Sequence, residues 1–237
     1  MVAILEKIKL IIQNDRLLYV STPLGEKSCD YISEGTYIFE KGKIYGLVSE
    51  HGGGGDGICC LLSGEAPLDK EKIIIDNREI STIDEFGWYV GKPIYTNGLI
   101  KKEATIKKSL NKAIKKYRRY NNLEEIIEMF HLSKDKLDYK FSNNSMWEMW
   151  RSSLALGYAS RKSIFCFPWM NTLTFYDCMY NSGVFRFFKM LKEEGAIIIL
   201  PTSREENLIN FADITIRITN PRFQHVISES DYFKNNF

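Results

Sequence analysis

Apolar and β-branched residues fall into short runs through residues 1–40. Positions 8–12, 17–20 and 37–39 read as strands with polar turns between them. Lys41-Gly42-Lys43 marks a turn. Ile44–Val48 (IYGLV) then forms an uninterrupted apolar run, the pattern of a strand covered on both faces. It leads into Ser49-Glu50-His51-Gly52-Gly53-Gly54-Gly55-Asp56-Gly57. The apolar stretch 58–62 beyond reads as a short helix stopped by Gly64 and Pro67. Residues 72–76 and 88–90 read as further strands.

The period changes across residues 100–160. Ile106, Leu110, Ala113, Ile114 and Tyr117 follow helical spacing, as do Leu123, Ile126, Ile127 and Phe130, and 147–158 reads as a helix. Afterwards the β/α rhythm returns: strand 163–167, helix 184–192, strand 196–200, short helix 205–212 and strand 214–219. This order predicts an α/β fold, a mostly parallel sheet with a helical lobe inserted between two of its strands.

The 237 residues carry 32 Lys and Arg against 30 Asp and Glu, so no global charge points to nucleic acid or membrane. No apolar run reaches the ~20 residues that span a bilayer. The start of the chain lacks the pattern of a secretion signal, and the cell interior is the expected compartment. Five cysteines without CxxC spacing, and His51, His131 and His225 without ligand spacing, predict neither a disulfide framework nor a metal site. Nine Lys and Arg between Lys101 and Arg119 read first as a solvated helix face, with anionic lipid and nucleic acid as alternatives. Trp147, Trp150 and Trp169 read as core, or else as groups that fill a nucleotide space or form a partner surface.

The glycine loop between a strand and a helix is an anion cradle in principle, through its main-chain N–H groups and the helix dipole. Against the phosphate-binding pattern G-x-x-x-x-G-K-[ST], Gly55 stands in the lysine slot, Asp56 in the hydroxyl slot, and Gly57 follows. A second anion about 4 Å from a phosphate costs about 1–4 kcal/mol at partly exposed sites. Asp56 reads as a helix cap, or as a carboxylate occupying the vacant phosphate position. Gly52, Gly54 and Gly57 also match G-x-G-x-x-G, with Asp76 in the place of a ribose-binding acid, which keeps a dinucleotide site as an alternative.

The run GKIYGLVSEHGGGGDGICCLLSGEAPLDKEKIIIDNREI resembles the first half of an ABC-transporter ATP-binding subunit. The resemblance extends over residues 35–220. Lys92 stands where the family has its Q-loop glutamine. Ser142-Asn143-Asn144-Ser145 stands in the LSGGQ signature, Pro168 at the magnesium-binding aspartate, and Trp169 at the glutamate that activates water. Ser203 stands at the switch histidine, and Phe175 near the D-loop aspartate. The resemblance implies a P-loop NTPase-like single domain over 1–237, with an N-terminal antiparallel β-subdomain. Its core is 1–98 and 161–237, and its helical lobe 99–160.

In function it implies a pseudo-ATPase at the inner face of the cell membrane, coupled to a transmembrane subunit. A second ATP-binding chain completes the pair, a heteromer in preference to a homodimer. No catalytic residue is retained and no cofactor is held tightly; ATP with magnesium enters only if the backbone cradle Gly52, Gly53, Gly54, Gly55, Asp56 and Gly57 still functions. The alternatives are an active ATPase of the same family with unusual residues, a dinucleotide-binding module, and a nucleic-acid-binding module, the last disfavoured.

Overall fold

The computed structural model describes residues 5–21, 27–95, 102–120 and 122–219. Lys101 of the basic stretch and His225 lie outside the described residues. In chain order the elements are β1 (Lys7–Ile12), β2 (Arg16–Ser21), β3 (Lys27–Ile32), β4 (Gly35–Glu40), β5 (Ile44–Val48) and α1 (Gly55–Ser63). Next come β6 (Lys72–Ile75), β7 (Arg78–Ile80), β8 (Gly87–Tyr89), α2 (Ile106–Tyr117), α3 (Leu123–Met129) and α4 (Met146–Ala159). The chain continues with β9 (Ile164–Cys166), α5 (Thr172–Tyr176), α6 (Phe188–Glu193), β10 (Ile197–Thr202) and β11 (Ile214–Arg217).

Five strands form a parallel sheet in the order β11-β5-β10-β9-β8. An antiparallel sheet has the order β4-β1-β6-β7, and β2 and β3 pair as a separate hairpin. Alternation explains β1: Ile8, Leu10 and Ile12 are buried and pair across to Phe39 and Tyr37 on one side, Ile75 and Ile73 on the other. Strand β5 is buried along its whole length, as its unbroken apolar run requires.

Successive side chains of the parallel sheet enter two different cores. Ile44, Phe165, Ile198 and Leu200 face the helices α2–α6; Tyr45, Leu47, Ile164, Cys166, Ile197 and Ile199 face α1 and the antiparallel sheet. The helices between β8 and β9 start at side-chain caps. Thr105 accepts from the Lys108 N–H, Asn122 from Glu125 and Ser145 from Glu148, each cap worth ~1 kcal/mol. On α2, Ile106, Leu110 and Ala113 are buried while Lys107, Lys108, Lys112, Lys115 and Lys116 are exposed.

Several elements differ from the sequence expectation. Strands β3 and β7 and helix α5 are additional. Residues 184–187 form a 3-10 turn before α6, and only 205–208 of the segment 205–212 is helical, again as 3-10. Helix α1 begins at Gly55 rather than Ile58, because the last glycines of the loop take helical geometry. Trp147 is half-exposed at 48% and outside the core, whereas Trp150 is 3% exposed and within it. No helix among the described residues is long and apolar enough to cross a membrane.

Candidate functional site

The buried strand β5 ends at Val48 and delivers the glycine loop to the N-terminus of α1. The Gly53 N–H folds back onto the Glu50 carbonyl at 2.9 Å. Gly54 is the N-cap of α1 at φ 110°, in the left-handed region that favours glycine, and it offers no side chain to satisfy the free N–H groups.

Those groups are satisfied from β3. One carboxylate oxygen of Asp30 accepts the Gly54 N–H at 2.7 Å, and the other accepts the Gly57 N–H in a very short contact. Beside it the Tyr31 N–H donates to the Gly52 carbonyl at 2.9 Å. Asp30 is 1% exposed. Burial raises its carboxyl above the usual range, while the N–H groups of Gly54, Gly57 and Asp56 and the neighbouring His51 pull it back. The sequence reading missed Asp30. Its partners lie 24 and 27 residues further along the chain, and its strand has no strong alternation.

Neither reading of Asp56 survives: it is not the helix cap, and its carboxylate does not take the phosphate position. It points away from the loop amides. Its Oδ1 accepts the Tyr89 hydroxyl at 2.7 Å and the Trp169 main-chain N–H at 3.2 Å. Burial, helped by the Asp30 charge and opposed by the Tyr89 hydrogen bond, pushes its carboxyl up to about 6. Trp169 is held again by its indole, whose N–H donates to the Ser49 carbonyl at 3.0 Å, and its ring meets His51 edge-on with centroids 4.8 Å apart. Together Asp56 and Trp169 tie the end of β9 to the loop and to the first turn of α1.

The remaining sequence candidates bond to other partners; Ser203 directly follows Thr202, whose carbonyl accepts the Ser49 N–H at 3.1 Å. Lys92 ion-pairs with Glu65, just past the C-terminus of α1. The helix separates this pair from the loop by about 13 Å of rise. Ser142 gives its N–H and hydroxyl to the Glu103 carboxylate at 2.7 and 2.5 Å. The Asn144 amide donates to the Lys140 carbonyl at 2.8 Å, the Asn143 N–H donates to the same carbonyl at 3.1 Å, and Ser145 caps α4. Ser203 donates its N–H to the Met170 carbonyl at 3.3 Å. Phe175 is buried against Phe211. Asp76 accepts the N–H groups of Glu6 and Lys7 within the antiparallel sheet, so it is not placed as the ribose acid of a dinucleotide site. Among the described residues, no group of three or more His, Cys, Asp or Glu could hold a metal ion.

Comparison with solved structures gives one consistent result. The chain superposes on a dimeric ATP-binding cassette in a post-hydrolysis state bound to ADP and Pi, with TM-score 0.62 and 16% identity over 90% of this chain and 94% of the other. The ATP-binding subunit of an ABC transporter matches with TM-score 0.61 and 13% identity over 89% and 85%. An ABC-transporter ATP-binding protein from Pyrococcus furiosus matches with TM-score 0.58 and 19% identity over 89% and 97%. The chain has the fold of an ABC-transporter ATP-binding cassette. No protein-family model and no curated protein matches it.

A cassette fold implies ATP with magnesium, and the residues around this chain's glycine loop do not fit that pair. Two loop N–H groups are already engaged by Asp30. A Cβ built at Gly55 would lie 2.6 Å from Ser49 Oγ and 3.1 Å from Pro201 Cβ, so a side chain there would have to displace its neighbours. The Asp56 carboxylate is committed to Tyr89 and Trp169, and the chain after β9 continues with Pro168 and the Trp169 indole rather than with carboxylates.

Proposed function

We propose that this chain is the ATP-binding-cassette subunit of a membrane ABC transporter and has lost its own hydrolytic site. It pairs with a second, hydrolysing cassette. It docks on a transmembrane subunit from the cytoplasmic face and passes closure of the pair to that subunit as a structural or regulatory element. The core, 1–98 and 161–237, carries the pairing face, and the helical lobe, 99–160, carries the membrane-side contacts.

The observation that carries this reading is Trp169. Its slot is where a cassette activates water, and here an indole is hydrogen-bonded to Ser49 with its N–H main chain held by Asp56. Phosphoryl transfer depends on positioning and charge neutralisation, each contact being worth roughly one to several kcal/mol. Loss of only two slows turnover by ~100-fold or more. The cassette fold and the dimeric state of one structural neighbour support pairing.

Isolation of the tagged full chain from its native cell, followed by a phosphate-release assay, tests the proposal. The expected result is recovery of a second cassette and a polytopic membrane protein, with hydrolysis that survives Trp169→Phe in this chain. Recovery of the chain alone, or phosphate release by the purified chain by itself, overturns it.

A further inference from the structure

The glycine loop keeps its glycines although the lysine and hydroxyl that accompany them in a phosphate-binding loop are gone. The hairpin β2–β3 gives the reason. A Cβ at Gly54 would stand 2.9 Å from the Tyr31 carbonyl oxygen, and one at Gly57 would stand 2.6 Å from Ile32 Cγ2 and 3.2 Å from Asp30 Oδ2. Both glycines are therefore required by the approach of β3, with no ligand involved. The hairpin is anchored as well as close: Leu18, Val20 and Ile32 are buried in the same core as Ile58 and Leu61 of α1.

We infer that Asp30 is the resident anion of this loop, a carboxylate supplied by the chain itself in the place where a nucleotide phosphate would sit. Its two oxygens take two separate loop N–H groups at the positive end of α1, the geometry by which such loops bind phosphate. The fit is closed on both sides, since the Tyr31 N–H also binds the Gly52 carbonyl. A phosphate can enter only by expelling a buried carboxylate. A phosphate so admitted would find no cation at Gly55 to offset its charge. The loop thus serves to fasten the hairpin to the sheet. This rests on the reading of the chain as hydrolytically inactive, and extends it from catalysis to binding.

Amide NMR of the full chain tests it, with ATP, ADP and pyrophosphate as probes. In the wild type, the Gly54 and Gly57 amide signals are expected far downfield and unmoved by any probe up to about 10 mM. Asp30→Asn, which keeps the shape and removes the charge, is expected to move both signals upfield. Asp30→Ala is expected to let pyrophosphate shift the same two signals saturably, at least about tenfold more tightly than in the wild type. Saturable movement of the wild-type signals by ATP, identical signals in Asp30→Asn and wild type, or a folded Asp30→Ala blind to pyrophosphate each overturns the inference. If Asp30→Ala does not fold, the wild-type titration and Asp30→Asn still decide. All these readouts come from the isolated chain, so they stand apart from recovery of the transporter complex, which tests the functional reading.

Discussion

The indole N–H of Trp169 donates to the main-chain carbonyl of Ser49 at 3.0 Å, joining the end of β9 to the entrance of the glycine loop. A carboxylate in this slot would have no such partner and would face the buried Asp56. Trp169→Glu is therefore expected to yield no phosphate release, and to destabilise the chain by about 2 kcal/mol through the lost hydrogen bond, lost packing and added charge. Urea melts and a phosphate assay on one preparation check both. Measurable turnover would show that the other groups of the site suffice.

Asp56 gives a pH signature. Its carboxyl is raised from 3.8 to about 6 in the folded chain, chiefly by burial. Between those values the folded state binds more protons than the unfolded state, so stability falls as pH rises across the window and levels off above it. The full shift corresponds to at most about 3 kcal/mol. Asp56→Asn can still accept from Tyr89 and Trp169. It is expected to be more stable than wild type by about 1–3 kcal/mol above about pH 7 and to flatten the slope between about pH 4 and 6. Paired denaturant melts across that range measure the difference.

Gly54→Ala and Gly57→Ala address the fastening of the hairpin. Each introduces a Cβ within 3 Å of a β3 atom. Each is expected to cost about 2 kcal/mol or more in the ligand-free chain, Gly54→Ala also through its left-handed backbone. A loop whose glycines served only a ligand would lose little in the ligand-free state. Thermal melts of the two variants separate these outcomes.

Lys92 and Glu65 form a part-exposed pair, their side chains 34% and 28% accessible. Lys92→Ala is expected to cost no more than about 1 kcal/mol, because the neighbouring Gly91 stays bound to Ser153 through its N–H at 2.7 Å. A larger loss in denaturant melts would mean that Lys92 supports more than Glu65.

Much of the fold is written in local pattern. The apolar runs of β5, β9 and β10, the helical spacing of α2 and the Gly64 stop of α1 depend on neighbours in sequence, and these elements match expectation. What was not legible depends on distant partners. Asp30 is a charged residue in an unremarkable stretch, KSCDYI, and its burial makes sense only once the loop amides are placed against it. Asp56 failed for the same reason: the choice between capping α1 and facing Tyr89 is made by β8 and by the chain after β9, neither of which is adjacent in sequence. The glycine loop could be seen from sequence alone; the partners its residues take up could not.

Strand β10 is buried at every position, and its residues alternate between the two cores. A shared wall of this kind transmits damage in both directions. Thinning Ile198 loosens the helical side and thinning Ile199 the antiparallel side, while either change shifts the strand that both layers lean on. Heating should therefore dismantle both layers in one calorimetric peak rather than shed the helices first.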